Sequence, residues 1–150
     1  MKLGTSKVVL KVAGVFTVIG SVAALAAGSF LGSGAGANIE GLDTSALTGT
    51  TGGSAAGLGI IIAVAGLYWM VEGIVDLIAA KHFRFGAAAG VFAVVGLLAS
   101  VFNYGADFMS NGFTVSSAVG LAMSAGINSL ILTAANTVRK EHKNSLAAVR

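Results

Sequence analysis

The chain has 150 residues, of which 55% are hydrophobic and only 10% are charged. A soluble domain carries about 25% charged residues, so the composition argues against an ordinary water-soluble domain and predicts an integral membrane protein. Cysteine is absent, which excludes disulfides and cysteine-based metal sites.

Four apolar segments follow one another along the chain, at about 8–31, 55–80, 85–104 and 115–138. Each is long enough to cross a bilayer, which takes ~20 apolar residues in a helix. Proline is absent, which favours uninterrupted helices. The sequence therefore predicts an all-α integral membrane protein, a single membrane domain over 1–150 built as a four-transmembrane-helix bundle.

The first segment also fits a second interpretation. A basic start, an apolar run and the stretch Ala24-Leu25-Ala26-Ala27-Gly28, with its small residues, are features of a signal peptide, and cleavage would leave three spans. The apolar run exceeds the 7–15 residues usual for such a peptide, which favours a retained span. The stretch that follows, 32–54, is rich in Gly, Ser and Thr and is predicted to be a mobile outer loop.

Basic residues predict the orientation. All nine fall in three stretches: Lys2, Lys7 and Lys11; Lys81 and Arg84; and Arg139, Lys140, Lys143 and Arg150. The other two loops, 32–54 and 105–114, contain none. By the positive-inside rule both termini and the middle loop are cytoplasmic, and the protein is predicted to be multi-pass in the cell membrane. Within the loop after the second span and the basic tail 139–150, five residues are predicted to contact lipid headgroups: Lys81, Arg84, Arg139, Lys140 and Lys143.

Two acids interrupt the second segment. Glu72 and Asp76 are four residues apart, so they share a helix face. Because a charge inside hydrocarbon is costly, such groups normally face other helices. Lys11 is the basic residue predicted to pair with Asp76. Polar residues of the fourth segment at comparable depths are predicted to complete an intramembrane polar seam: Asn128, Ser129, Thr133 and Asn136.

Small residues spaced four apart predict close helix packing within the chain. The stripes include Gly20, Ala24 and Gly28; Gly86 and Gly90; and Ala118, Ala122 and Gly126. The sequence of residues 13–23 resembles that of residues 89–99. This similarity is consistent with two related helical hairpins or with shared composition alone.

The chemistry leaves two functions open. Both histidines, His82 and His142, lie in basic stretches without a nucleophile or a ligand partner, so no enzyme, cofactor or metal is predicted. The first hypothesis is a non-enzymatic subunit or interaction partner in a membrane assembly, in contact with the lipid bilayer and with other membrane chains or itself, and without nucleic acid. The alternative is a small transporter or channel-like protein in which Glu72 and Asp76 bind a proton, a cation or a cationic substrate.

Overall fold

The computed structural model describes residues 1–33 and 55–149, and these residues form helices joined by short connections. The long helices are α1 Leu3–Gly32, α2 Ala55–Lys81, α3 Gly86–Asn111 and α4 Val115–Ala147, with a 3-10 turn at Phe83–Phe85 before α3. All four are long and apolar enough to cross a membrane. The prediction of four helices of spanning length is thus confirmed.

The helix ends differ from the predicted ones mainly in the second half of the chain. Helix α3 continues through most of the predicted loop 105–114, and α4 continues through most of the predicted tail. The predicted ends follow the drop in hydropathy. A helix ends instead where capping groups satisfy its last backbone groups, which can lie beyond the apolar segment. Gly112, at φ 75°, donates its N–H to Phe108 and ends α3. Thr114 then caps α4 by accepting from the Ser117 N–H at 3.1 Å. The predicted loop 32–54 lies, beyond Ser33, outside the described residues.

The chain divides into two compact units, 1–15 with 72–150, and 16–71. All four helices contribute to the apolar core of the first unit. Its buried members are mostly small: Leu10, Ala79, Ala80, Ala89, Ala93, Ile131, Ala134, Ala135 and Val138. Alanine at these positions lets helix backbones approach closely.

Glycines mark the closest helix contacts in each unit. In the first, a Cβ placed on Gly14 would lie 2.7 Å from the Gly73 carbonyl oxygen. In the second, a Cβ on Gly28 would lie 2.7 Å from both the Gly59 carbonyl oxygen and the Ala63 nitrogen. Only glycine permits these approaches, because each would otherwise place a side-chain carbon against a backbone atom. Within each unit, therefore, α1 packs backbone to backbone on α2.

Candidate functional site

The two acids of α2 are both buried in the first unit. Asp76 is 0% exposed and Glu72 is 5% exposed. Their spacing places them on one face of α2, one turn apart, and Ala79 and Ala80 of the apolar core follow on the next turn. The predicted acids thus lie inside the unit.

The Asp76 carboxyl group stands out because neither of its oxygens has a hydrogen-bond partner among the described residues. Buried polar side-chain atoms in proteins are nearly always hydrogen-bonded. Removing an ionised carboxylate from water without a partner is far more costly than burying a neutral polar group. Asp76 is therefore the one side chain in the described part of the chain whose burial the packing leaves uncompensated.

The predicted ion pair between Lys11 and Asp76 is not formed. Lys11 is exposed, and the Asp76 oxygens are unpartnered. The reason lies in the orientation of α1, which turns Leu10 and Gly14 inward. Lys11 follows Leu10 by one residue, or about 100° around the helix, so it faces outward.

The predicted polar seam between the second and fourth spans is not formed either. Ser129, Thr133 and Asn136 are exposed, and Asn128 lies against Gly96 of α3. Helix α4 turns a different face toward the rest of the first unit, the face that carries Ile131, Ala135 and Val138. These polar residues therefore supply no partner to the acids of α2.

A different polar seam joins α3 to α4. Ser100 and Ser124 are hydrogen-bonded, Oγ to Oγ, at 2.5 Å. Nearer the turn, Ser117 donates to Asp107. Within α4, Asn128 donates to the Ser124 carbonyl oxygen at 2.9 Å, and its side-chain oxygen lies against Gly96 of α3. Sequence reasoning missed this seam, although a signal exists: Ser100 with Ser124, and Asp107 with Ser117, lie equally far along the chain from Gly112, the glycine that ends α3.

Away from the core, α4 presents two chemically distinct exposed faces. One carries large apolar side chains, which are Val119, Met123, Ile127 and Leu130. The other, called here the polar stripe, carries small and polar side chains spaced alternately four and three apart, which are Ala122, Gly126, Ser129, Thr133 and Asn136. In the polar stripe, the Thr133 hydroxyl donates to the Ser129 carbonyl oxygen at 2.8 Å. The polar stripe is thus open to a partner along its whole length.

Basic side chains gather near the turn between α2 and α3. The Lys7 ammonium lies 4.6 Å from the centre of the Phe83 ring, and the Arg84 guanidinium lies 4.9 Å from the centre of the Phe85 ring. Cations over ring faces are attracted by the aromatic quadrupole. The five residues predicted to contact lipid headgroups are all exposed: Lys81, Arg84, Arg139, Lys140 and Lys143.

Within the described residues, no group of three or more His, Cys, Asp or Glu side chains is arranged to hold a metal ion. Comparison of the chain with protein-family models, with curated proteins and with solved structures finds no match. The interpretation of the function therefore depends on the residues themselves.

Proposed function

We propose that the chain is an integral protein of the cell membrane and acts, without enzymatic activity, as a subunit that associates through the polar stripe of α4. The occupant we propose for this stripe is the same stripe of a second copy. The observation that supports the proposal is the exposure of Ser129, Thr133 and Asn136 on a helix of spanning length.

The physical argument starts from the solvent. Lipid tails are as apolar as leucine, so a face of large apolar residues gains nothing by leaving lipid. Small residues such as Ala122 and Gly126 allow a second helix to approach closely, and Ser, Thr and Asn side chains form hydrogen bonds between helices. The polar stripe therefore favours a neighbouring helix over lipid, whereas the large apolar face of α4 favours lipid.

A second copy fits the polar stripe because equivalent residues of two copies lie at the same depth in the bilayer. Two copies inserted in the same direction place each residue of the stripe at the same level of the bilayer. Asn136 then meets Asn136, and an amide side chain has both donors and an acceptor, so the contact is self-complementary. Such a two-fold interface is the commonest type in protein oligomers.

The proposed orientation places both termini and the turn between α2 and α3 in the cytoplasm. The exposed basic residues Lys81, Arg84 and Arg139 would then lie beside the anionic headgroups of the inner leaflet. This arrangement follows the positive-inside rule.

Single-cysteine labelling tests the orientation, because the natural chain has no cysteine. Met109 is 90% exposed. The cysteine of a Met109→Cys variant is therefore expected to react with a membrane-impermeant maleimide in intact cells. His82→Cys, in the turn before α3, is expected to react only after the cells are permeabilised. Reaction of His82→Cys in intact cells would contradict the proposed orientation.

Disulfide cross-linking in native membranes tests the interface. Ser129→Cys, in the polar stripe, is expected to give a disulfide-linked dimer on mild oxidation, because a two-fold contact brings the two copies of this position together. Leu130→Cys is the matched control, since Leu130 is 54% exposed but lies about 100° away on the large apolar face. It is expected to give far less dimer. Equal cross-linking at the two positions, or none at position 129, would refute the proposed interface.

A further inference from the structure

The buried acids of α2 are not used by the proposed association. Glu72 and Asp76 lie in the buried part of the first unit, whereas the polar stripe is exposed on α4. Asp76 is fully buried, and no described residue donates a hydrogen bond to either of its oxygens. Glu72 is four residues away on the same helix, which places the two Cβ atoms about 5–6 Å apart. Two acidic side chains thus start from neighbouring turns of one helix face, where solvent does not reach Asp76.

Among the described residues of the surrounding helices, no basic side chain compensates the pair. On α1, Lys7 lies over the Phe83 ring and Lys11 is exposed. At the turn and on α4, His82, Arg84 and Arg139 are exposed. The stretches of α3 and α4 that face the core, 86–103 and 115–138, contain no titratable residue. Any negative charge on the pair would therefore have to be compensated by a bound cation.

The small number of available ligands favours a proton over a divalent metal ion. Calcium takes six to eight oxygen ligands and magnesium demands near-ideal octahedral coordination, whereas the described residues hold no group of three acidic or histidine side chains. A proton needs only one oxygen and can be shared between two neighbouring carboxyl groups, as in paired-carboxylate sites.

We propose that Glu72 and Asp76 form a binding site for one exchangeable proton, shared between the two carboxyl groups. Two carboxylates this close are expected not to ionise together, and one proton leaves the pair with a single negative charge and an internal hydrogen bond. Binding and release of this proton would make the charge on this face of α2 depend on the pH of the water with which the proton exchanges. The proposal does not depend on self-association, so either can fail alone.

A hydrophobic carbodiimide tests the proposal, because it adds to a protonated carboxyl group and gives a stable adduct that mass spectrometry detects. The full-length chain in lipid vesicles is expected to take up one adduct, mapped to Glu72 or Asp76, at acidic pH. Labelling is expected to fall at least tenfold at alkaline pH and to be unaffected by sodium. Absence of labelling at every pH, or two adducts on the pair, would overturn the proposal. Protection by sodium would overturn it in favour of a metal cation.

Matched variants assign the label. The double variant Glu72→Gln with Asp76→Asn is expected to lose it while keeping the helical circular dichroism of the natural chain. Asp107→Asn is the control, because Asp107 accepts a hydrogen bond from Ser117 and belongs to a different seam. Its labelling is expected to match that of the natural chain. Labelling that persists in the double variant would place the proton elsewhere and refute the site. Since the adduct is also mapped in the natural chain, the test does not depend on the variants folding.

Discussion

Replacing Asp76 with leucine is expected to raise the free energy of unfolding, by up to about 1–4 kcal/mol, the gain seen when buried ion pairs are exchanged for well-packed apolar residues. Leucine has the same branching at Cγ as aspartate, but its methyl groups are larger than the carboxylate oxygens, so the neighbouring side chains must move slightly to accept it. The natural side chain is fully buried, and its oxygens have no partner among the described residues. Its removal breaks no hydrogen bond to a described residue other than the one proposed with Glu72, and the Glu72 carboxyl group can then keep the shared proton and stay neutral.

Thermal and denaturant unfolding of the purified chain in mild detergent measure this change. Asp107→Leu is the matched control, because it removes an acid that does accept a hydrogen bond, from Ser117. That variant is expected to lose stability, by about 1–3 kcal/mol, since the Ser117 hydroxyl loses its acceptor. If Asp76→Leu were instead as destabilising as Asp107→Leu, Asp76 would have a stabilising role that its surroundings do not reveal.

A stabilising Asp76→Leu variant would also bear on function. Groups that cost stability are found where a protein needs them for something other than folding. A gain in stability together with a changed pH dependence of carbodiimide labelling would indicate that the chain retains Asp76 for its proton.

The long helices were predictable because hydropathy and length are properties of consecutive residues. Each of the four apolar segments corresponds to one long helix. The far ends of α3 and α4 were not predictable in this way, because polar residues continue a helix readily once its backbone hydrogen bonds are established. Helix α4 thus extends to Ala147, beyond the predicted span end at 138.

The location of the two acids could be predicted from the sequence, but the residues that surround them could not. The spacing of Glu72 and Asp76 predicts a shared face, and the structure buries both. Which face of α4 turns inward depends on small differences in packing, such as the fit of Asn128 against Gly96. Depth in the bilayer alone, from which the seam was predicted, contains no information about rotation around the helix axis. The predicted pairing of Lys11 with Asp76 was wrong for the same reason, because it too was inferred from depth alone.

The small-residue stripes show the same limit. The spacing of four that groups Gly20 with Gly28 does not describe the packing, because a Cβ on Gly20 would have no atom within 4 Å. The buried positions Gly14, Ser21 and Gly28 are instead seven apart. The predicted stripes therefore contain glycines at tight helix contacts, such as Gly28 and Gly86, together with glycines that contact nothing, such as Gly20 and Gly126.

Gly28→Ala is expected to destabilise the chain by about 1–3 kcal/mol, the usual cost of adding a methyl group to a tightly packed contact. The added carbon would lie 2.7 Å from the Gly59 carbonyl oxygen and from the Ala63 nitrogen. Both are backbone atoms of α2, which no side-chain rotation can move. The two helices must separate locally, and the contacts beside Gly28 weaken with them.

Gly20→Ala provides the control on the same helix and in the same unit. Gly20 is exposed and has open space at its Cβ position, so alanine is expected to stabilise the helix by about 0.5–1 kcal/mol through its lower conformational freedom in the unfolded chain. The two variants make the same chemical change eight residues apart, and unfolding in mild detergent is expected to shift in opposite directions. Because helix propensity acts alike at both positions, the difference between the variants isolates the packing at Gly28. A Gly28→Ala variant as stable as Gly20→Ala would mean that α1 and α2 are not in backbone contact at this point.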